Sequence, residues 1–447
     1  MTDINQNSAN KVSSIDEKLL IKLIKWRLLP LAFILYFFNG MDRLNIGFAA
    51  LQMNSELNIA EIEYGMIAST FFLSYLIFQI PSNILIQKLK INKWIGFIVI
   101  GWGIVTSLTF YAQSYEQVLI LRFLLGIFEA GFFPGMMYFF SLWFPANEKA
   151  KVTAIFMGAA AVSGVIAAPL SGWIVQNISW GALSGWRWLF MIEGAPTVVF
   201  GLITLFYLTN KPQDAKWLTE DQRNWLVNKL DTERKDLALK TVNIVKAGWK
   251  ETLSSSILWR LSLIYFFAQA ASQVAIFWLP KQIKEFDASQ IIDAATFSSA
   301  HIGYIMMLPF LVGAIFMQWW SNRCDRTMDR KNYTAIPMLI EGIAFVLIVA
   351  SDSTLLKILG VILFGVGQFG YFGPFWALCY GLLPPSLLAV GVAMINAGSS
   401  LGGYAGNQIS GFLSNKYGST GVYLFEATFC LIAYLLVMTI RIKKEKS

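Results

Sequence analysis

The stretch LLPLAFILYFFNGMDRLNIGFAAL, residues 28–51, is apolar and long enough to cross a bilayer as a helix, yet it carries Asp42 and Arg43 side by side. About 20 apolar residues span the hydrocarbon core. A charged residue near the centre of such a helix costs about 2.5–3.5 kcal/mol on insertion, so charges that persist there mostly face a bundle interior and handle ions or substrate. The pair therefore marks a membrane span and a candidate site together. A second acid, Glu129, lies in another apolar stretch with Arg122 two helical turns before it.

Composition extends that reading to the whole chain. Of 447 residues 56% are hydrophobic and 14% charged, with a mean hydropathy of +0.55, against roughly 25% charged in an ordinary soluble domain. The chain reads as a polytopic, all-α membrane protein. Apolar runs between charged or turn-rich breaks predict twelve spans, near 28–50, 64–87, 94–112, 117–144, 150–175, 186–208, 257–280, 297–321, 333–350, 354–383, 387–413 and 420–440.

Loop charges orient these spans. The N-terminal tail carries Lys11, Lys18, Lys22, Lys25 and Arg27, and the break after the second span carries Lys88, Lys90 and Lys93. The other even-numbered breaks continue with Lys149 and Lys151, a basic stretch from Lys211 to Lys250, Arg323, Arg326, Arg330 and Lys331, and finally Arg441, Lys443, Lys444 and Lys446. The odd-numbered loops carry few cations: Arg187, then Lys281, Lys284, Lys357 and Lys416. The excess of cations on one side predicts that both termini and the central loop are cytoplasmic, with the chain in the cell inner membrane. The net charge of +8 is then a lipid-facing property, since these cations border an anionic leaflet, and it does not indicate nucleic-acid binding.

The first 27 residues are polar, so no cleavable signal peptide is expected. Cys324, Cys379 and Cys430 are scattered and His301 is the single histidine. No disulfide framework, metal site or cofactor is expected.

Thr209 to Ser256 is the long polar segment of the chain and divides the spans six and six. The expected organisation is a tail to residue 27, a six-helix bundle over 28–208, a cytoplasmic linker over 209–256, a second six-helix bundle over 257–440 and a tail over 441–447. Internal symmetry supports this: Gly158, Gly164, Pro169 and Gly172 of the fifth span have counterparts in Gly391, Gly398, Gly402, Gly403, Gly406 and Gly411 of the eleventh. Repeated halves with a site near the midplane between them are a common build of secondary carriers. Small residues also simply let helices pack closely.

Tyr36, Asn39 and Arg43 share one face of the first span, with Asp42 on its flank and Asn45 further along. Arg43 keeps its proton and offers a planar fork matched to a carboxylate. Asp42 can gain and lose a proton, which would alternately withdraw and release Arg43. Neighbouring opposite charges can also simply neutralise one another, but consecutive helical positions diverge by about 100° and pair poorly. Arg122 and Glu129 share a face of the fourth span. Arg122 lies near its start, where an anchoring or snorkelling role fits; Glu129 has no cation within a turn and is free to titrate or to meet Arg43. Tyr75 and Gln79 in the second span, Gln269 and Gln273 in the seventh, and Asn396 in the eleventh are polar groups that either line a path or join helices. His301 reads as a wetted helix start and Glu341 as a peripheral structural acid.

These residues together resemble a major facilitator superfamily carrier, and more narrowly the anion:cation symporter family. The resemblance covers all twelve spans. It is carried by YFFNGMDRLNIGFAA (36–50), RFLLGIFEAGFFPGMMYFFSLWFP (122–145), GWRWLFMIEGAPTVVFG (185–201), FWLPKQIK (277–284) and NAGSSLGG (396–403). It implies proton-coupled uptake of a small organic carboxylate by alternating access, with the acids Asp42 and Glu129 carrying protons and Arg43 holding the carboxylate. By the same resemblance Tyr75 and Asn396 contact substrate; Tyr36, Asn39 and Gln79 are candidate substrate contacts from their helix positions, and Arg122 is a candidate for a structural or coupling ion pair. The sequence PSNILIQKLKINKW after the second span lacks the glycine and Asp-Arg of the superfamily's gating motif, while SNRCDRTMDRK after the eighth keeps part of it. The IPSN form resembles the branch carrying phthalate, tartrate, hydroxyphenylacetate or nicotinate.

The expected partners are a carboxylate anion, protons and lipid, with the monomer as the working unit. An exporter or antiporter is the rival, since GVIAAPLSGW (164–173) partly matches the glycine-proline signature of such proteins. A membrane enzyme would need a nucleophile with a base, or a metal cluster, and the chain offers one histidine and three dispersed cysteines. A sensor is disfavoured by the lack of an appended soluble domain.

Overall fold

A computed structural model describes residues 16–241, 254–384 and 386–441. The expected tail up to residue 15, part of the linker and the tail from 442 lie outside the described residues, as do the side chains of 237–241 and 389. The helices are α1 (Glu17–Glu56), α2 (Glu61–Lys88), α3 (Ile91–Leu108), α4 (Tyr115–Glu129), α5 (Phe132–Trp143), α6 (Ala146–Asn177), α7 (Gly185–Tyr207), α8 (Glu220–Thr241), α9 (Ser256–Lys284), α10 (Ser299–Thr327), α11 (Arg330–Ala350), α12 (Thr354–Leu382) and α13 (Leu388–Met438).

Ten of these segments, α4 and α5 counted as one, are long and apolar enough to cross a membrane. Dividing α13 at Gly418, where φ is +64°, and adding α1 recovers the twelve spans. Three boundaries differ from expectation. α1 begins about three turns before its apolar run, because Asp16 caps it by accepting from the Lys18 and Leu19 amides at 2.9 and 3.1 Å. The fourth span breaks at Gly131, directly after Glu129, where a Cβ would stand 1.7 Å from Ser82 Oγ. The eleventh and twelfth spans are one helix with a glycine bend, where a loop was expected.

The helices gather into two groups. Within the first, α3 packs on α7, α1 on α6 and α2 on α4; within the second, α9 packs on α13 and α11 on α12. The groups meet where α1 touches α9, α2 touches α13 and α6 touches α10. These contacts collect at the end of the bundle away from the chain termini. Tyr64 Oη donates to the Phe277 carbonyl at 2.7 Å, Gln408 Nε2 to Ser69 Oγ at 2.9 Å, and the Ala300 amide to Gln176 Oε1 at 2.9 Å. Glu61 accepts from Ser414 at 2.9 Å and pairs with Lys281. At the termini end, Leu258, Leu261, Tyr265, Phe375, Leu378 and Leu383 form an apolar cluster of the second group apart from the main core.

The same far end explains the GWRW motif. Arg187 gives Glu56 two hydrogen bonds, at 3.0 and 2.7 Å, while its other nitrogen donates to the carbonyls of Phe110 and Ala112 at 2.8 and 2.7 Å. Burial opposes ionisation of Glu56, but hydrogen bonds from Ser184, Trp186 and Arg187 win and hold its carboxyl below the usual carboxylate range. On the termini side Glu148 pairs with Lys25 and, at 3.3 Å, with Lys151, joining α1 to α6. Among the described residues no ion pair involves Lys88, Lys90 or Lys93. That absence matches the missing gating motif.

The seam between the groups is close-packed at glycines. A Cβ on Gly65 would meet the Asn407 carbonyl oxygen at 2.7 Å and Gly411 Cα at 2.8 Å, both backbone atoms that cannot step aside. Overpacking of this kind costs about 1–3 kcal/mol, enough to change an open-to-closed ratio on the order of tenfold. Gly65→Val should therefore open the seam. Introduced together with Ser69→Cys, it should raise labelling by a water-soluble maleimide about tenfold over Ser69→Cys alone, against a background of three buried native cysteines. Equal labelling would refute the tight seam.

Candidate functional site

The polar face of α1 does enter the interior, but its two charges part company. The Arg43 guanidinium turns to α4, where its Nε lies 3.5 Å from Glu129 Oε2. Asn39 Nδ2 donates to the same oxygen at 2.8 Å. About a third of the Arg43 side chain is exposed (32%) while that of Glu129 is fully enclosed (0%), so the cation has an open side and the acid has none. Glu129 Oε1 has no hydrogen-bond partner. α2 and α4 approach closely enough for this because Gly126 sits against Phe71 O and Ser74 Oγ, at 2.5 and 2.1 Å from where its Cβ would be.

Asp42 faces the other way. Its Oδ1 accepts from Thr106 Oγ1 on α3 at 3.0 Å and from Asn45 Nδ2 at 3.2 Å. The expected direct competition between Asp42 and substrate for Arg43 is thus not the arrangement seen, because a 100° step along α1 sends the two side chains to different neighbours. The acid on Arg43 is Glu129.

Arg122 also departs from expectation. Instead of reaching for the membrane surface it is buried, with Nη1 3.5 Å from the Asp42 carbonyl oxygen. Its guanidinium lies 5.3 Å from the Phe71 ring centroid and 5.9 Å from that of Phe277. Arg43 lies 5.4 Å from the same Phe71 ring and 5.4 Å from that of Tyr75. Phe71 therefore faces two guanidinium groups with its ring, whose electron-rich faces attract both. Phe71 was not singled out from sequence, one aromatic among 35 phenylalanines, and Phe277 stood there only as the first residue of the motif FWLPKQIK, with no role assigned.

Tyr36 completes the lining by stacking on Phe156 at 4.4 Å, with Phe133 and Phe132 at 5.9 and 6.2 Å. Gln79 and Asn396 are half-buried, and neither is hydrogen-bonded or ion-paired to Arg43 or Glu129 among the described residues. Gln273 donates to Gln269 at 3.3 Å, so that pair is satisfied within its own helix. His301 is exposed beside Ser298 at the start of α10, as a wetted terminus. Glu341 is not peripheral: it is wholly buried and accepts from Ser272 at 2.7 Å.

Two acids escaped sequence reading altogether. Glu193 on α7 is buried, accepts from Ser171 at 2.7 Å, and lies near Asp42 and Asn45. Glu426 on α13 is fully buried with neither carboxyl oxygen partnered. Each was a lone acid in an apolar run, the signal that had singled out Glu129. Among the described residues no group of three or more His, Cys, Asp or Glu side chains is placed to hold a metal ion.

Twelve spans in two groups around buried, oppositely charged side chains define a membrane carrier. A profile of the Major Facilitator Superfamily matches residues 32–407 and 296–447. The chain is 34% identical over 440 residues to a putative tartrate transporter of Agrobacterium vitis, covering 96% of this chain and 93% of that one. It is 30% identical to a quinolone resistance transporter of Acinetobacter baumannii, covering 96% of each. The inward-open conformation of the Escherichia coli xylose transporter XylE superposes with a TM-score of 0.74 at 13% identity, covering 94% of this chain and 96% of that one. The chain belongs to the Major Facilitator Superfamily. It is a multi-pass membrane transporter, not an enzyme.

The shared ring yields a stability prediction. Phe71→Leu keeps an apolar side chain but removes the aromatic face from both guanidinium groups, a contact worth about 0.5–1 kcal/mol at an exposed site and about 2 kcal/mol at a desolvated one such as Arg122. Thermal unfolding of the purified protein in detergent should register that loss for Phe71→Leu and little of it for Phe71→Tyr. Equal stability of the two variants would show that the ring only fills space.

Proposed function

We propose that the chain is a proton-coupled symporter that takes up a small organic carboxylate across the cell inner membrane. In this reading both termini are cytoplasmic, the bundles 28–208 and 257–440 are the moving units, and 209–256 is their cytoplasmic linker. The observation that carries it is the Arg43–Glu129 pair, an open-sided fork of donors whose present partner is a fully buried acid. A substrate carboxylate and the Glu129 carboxylate compete for one guanidinium. Protonating Glu129 removes the competitor, so proton and anion bind together.

Tyr36, Asn39 and Tyr75 then line the anion site around Arg43, with Gln79 and Asn396 reaching the substrate as the bundles close. Arg122 orients α1 through the Asp42 carbonyl, and Asp42 carries a proton on the opposite face of that helix. A dicarboxylate such as tartrate is the first substrate to test, by likeness to the Agrobacterium vitis relative. Export of an aromatic acid is the second reading, supported by likeness to the quinolone resistance transporter.

The sign of the pH dependence follows from the competition. Tartrate should bind more tightly as pH falls, by up to about tenfold per pH unit for one linked proton. Dissociation constants measured between about pH 6 and 8, where both tartrate carboxylates are ionised, should show this slope in the wild type. Glu129→Gln should bind tightly and lose the slope; a full slope in that variant would move the gating proton elsewhere. In proteoliposomes with a gradient of one pH unit Glu129→Gln should accumulate about tenfold less tartrate than wild type yet retain tartrate counterflow. A gradient that drives tartrate out instead of in would favour the export reading.

Arg43→Lys tests the clamp separately. It keeps the charge but loses the planar fork, so tartrate affinity should drop on the order of tenfold or more. Near-normal affinity would remove Arg43 from the binding role.

A further inference from the structure

The face of α1 turned away from Arg43 leads into a second polar compartment that the anion site does not use. Asp42, Asn45, Thr106, Ser171 and Glu193 meet there from α1, α3, α6 and α7, all of them nine-tenths or more buried. The donors present are two hydroxyls and one amide. Thr106 Oγ1 donates to Asp42 Oδ1, Ser171 Oγ to Glu193 Oε1, and the Asn45 amide to Asp42 Oδ1 while also facing the Glu193 carboxyl.

Those donors do not suffice. Asp42 Oδ2, Asn45 Oδ1 and Glu193 Oε2 are buried acceptors with no partner. Buried polar atoms are almost always satisfied, and a missing donor in a dry site carries a large penalty. The charged groups facing this compartment are Arg122, whose nitrogen reaches only the Asp42 main-chain oxygen, and Glu129, which is itself an acid and is held by Arg43. Among the described residues no cation is placed to balance Glu193. A proton bound to one carboxyl would add the absent donor, remove one of two neighbouring negative charges, and let an acceptor become an O–H.

We propose that Asp42, Asn45 and Glu193 hold one proton in common, making Glu193 a proton-binding residue of the transport cycle. Resting on the symporter reading above, this adds a second acid to the coupling machinery on a helix outside the anion site. The proton leaves one carboxyl oxygen and joins the other, with the Asn45 amide able to donate to one acid and accept from its neighbour. No bond other than O–H is made or broken.

The repeat in the fold gives independent support. In the first group Gly103 of α3 sits against Gly194 O and Val198 of α7; in the second, Gly342 of α11 sits against Ala427 O and Leu431 of α13. The two registers are the same, which makes Glu193 and Glu426 counterparts. The second acid of the pair comes from α1 in one group, as Asp42, and from α11 in the other, as Glu341, which takes the Ser272 hydroxyl. An acid recurs at this place in both halves even though the surrounding helices have diverged.

Infrared difference spectroscopy of the purified full-length protein in detergent, stepped from acid to alkaline pH without substrate, tests the shared proton. Glu193→Gln and Asp42→Asn should each abolish the same protonated-carboxyl band, and the double variant should remove nothing further. Two separate bands, each lost only in its own variant, would overturn the proposal, as would no band assignable to either residue. If Glu193→Gln does not fold, Asn45→Ala gives the same information: loss of the bridge should split the band, and an unchanged band overturns the idea.

A transport arm separates this from the symporter reading. In proteoliposomes with a gradient of one pH unit, each coupled proton is worth about tenfold in accumulation, so Glu193→Gln should accumulate about tenfold less tartrate than wild type. Wild-type accumulation by that variant would overturn the coupling role. Absence of tartrate uptake in the wild type, with the shared band present, would sink the choice of substrate and leave the proton site standing.

Discussion

A carboxylate enclosed on all sides in a membrane bundle has to find a cation or a proton, and Glu129 has Arg43. Much of the first group of helices is arranged by that need. α4 ends in a break directly after Glu129. It approaches α2 at a glycine, Gly126, and α2 brings Phe71 and Tyr75 beneath the guanidinium. Breaking a buried pair by removing one partner typically costs about 3–5 kcal/mol, so the competition that would make Arg43 useful to an anion also makes it dangerous to leave vacant. A bound carboxylate or a protonated Glu129 are the two states in which neither charge is stranded.

Adjacent residues on α1 thereby serve different compartments. The 100° helical step puts Arg43 among α2 and α4 and Asp42 among α3 and α7. Arg122 bridges the two, since it contacts the Asp42 main chain and shares the Phe71 ring with Arg43. A rotation of α1 about its axis would disturb both compartments at once. Under the proposed symport, such a rotation would link protonation on one face to anion release on the other.

The sequence was informative where a single residue breaks an apolar run. Twelve spans and the interior position of Asp42, Arg43 and Glu129 were legible from that contrast, while membership of the superfamily was legible from the resemblance of whole motifs such as 36–50 and 122–145. Pairing was not. Which acid meets Arg43 depends on the rotation of α1 against α4, and a helix face read from 3.6-residue periodicity does not say which neighbour it meets. Arg122 was misplaced because distance along a span was taken for depth, whereas α4 is short and broken and keeps that residue inside. Glu193 is a lone acid in the run GWRWLFMIEGAPTVVFG, but that run does not say that its carboxyl meets Ser171 of α6 and faces Asn45 of α1.

Charge is distributed unequally between the groups. Arg43 and Arg122 lie in the first, while the second buries Glu341 and Glu426 without an arginine or lysine among its buried described residues. Under the proposed symport, an anion would be held by the first half, and the second would contribute rings and neutral polar groups. Phe277 on α9 is the residue through which the second half takes part. Its ring lies against Arg122 and Phe72, while its carbonyl accepts the Tyr64 hydroxyl in the seam. Parting the groups at that end must draw Phe277 away from both, removing a ring from a buried cation and a hydrogen bond from a buried tyrosine together. The energy of the seam and the electrostatics of the site are thus linked through one side chain. A carrier needs such a link, because a gate that opened without changing how the site holds charge would leak protons or anions singly.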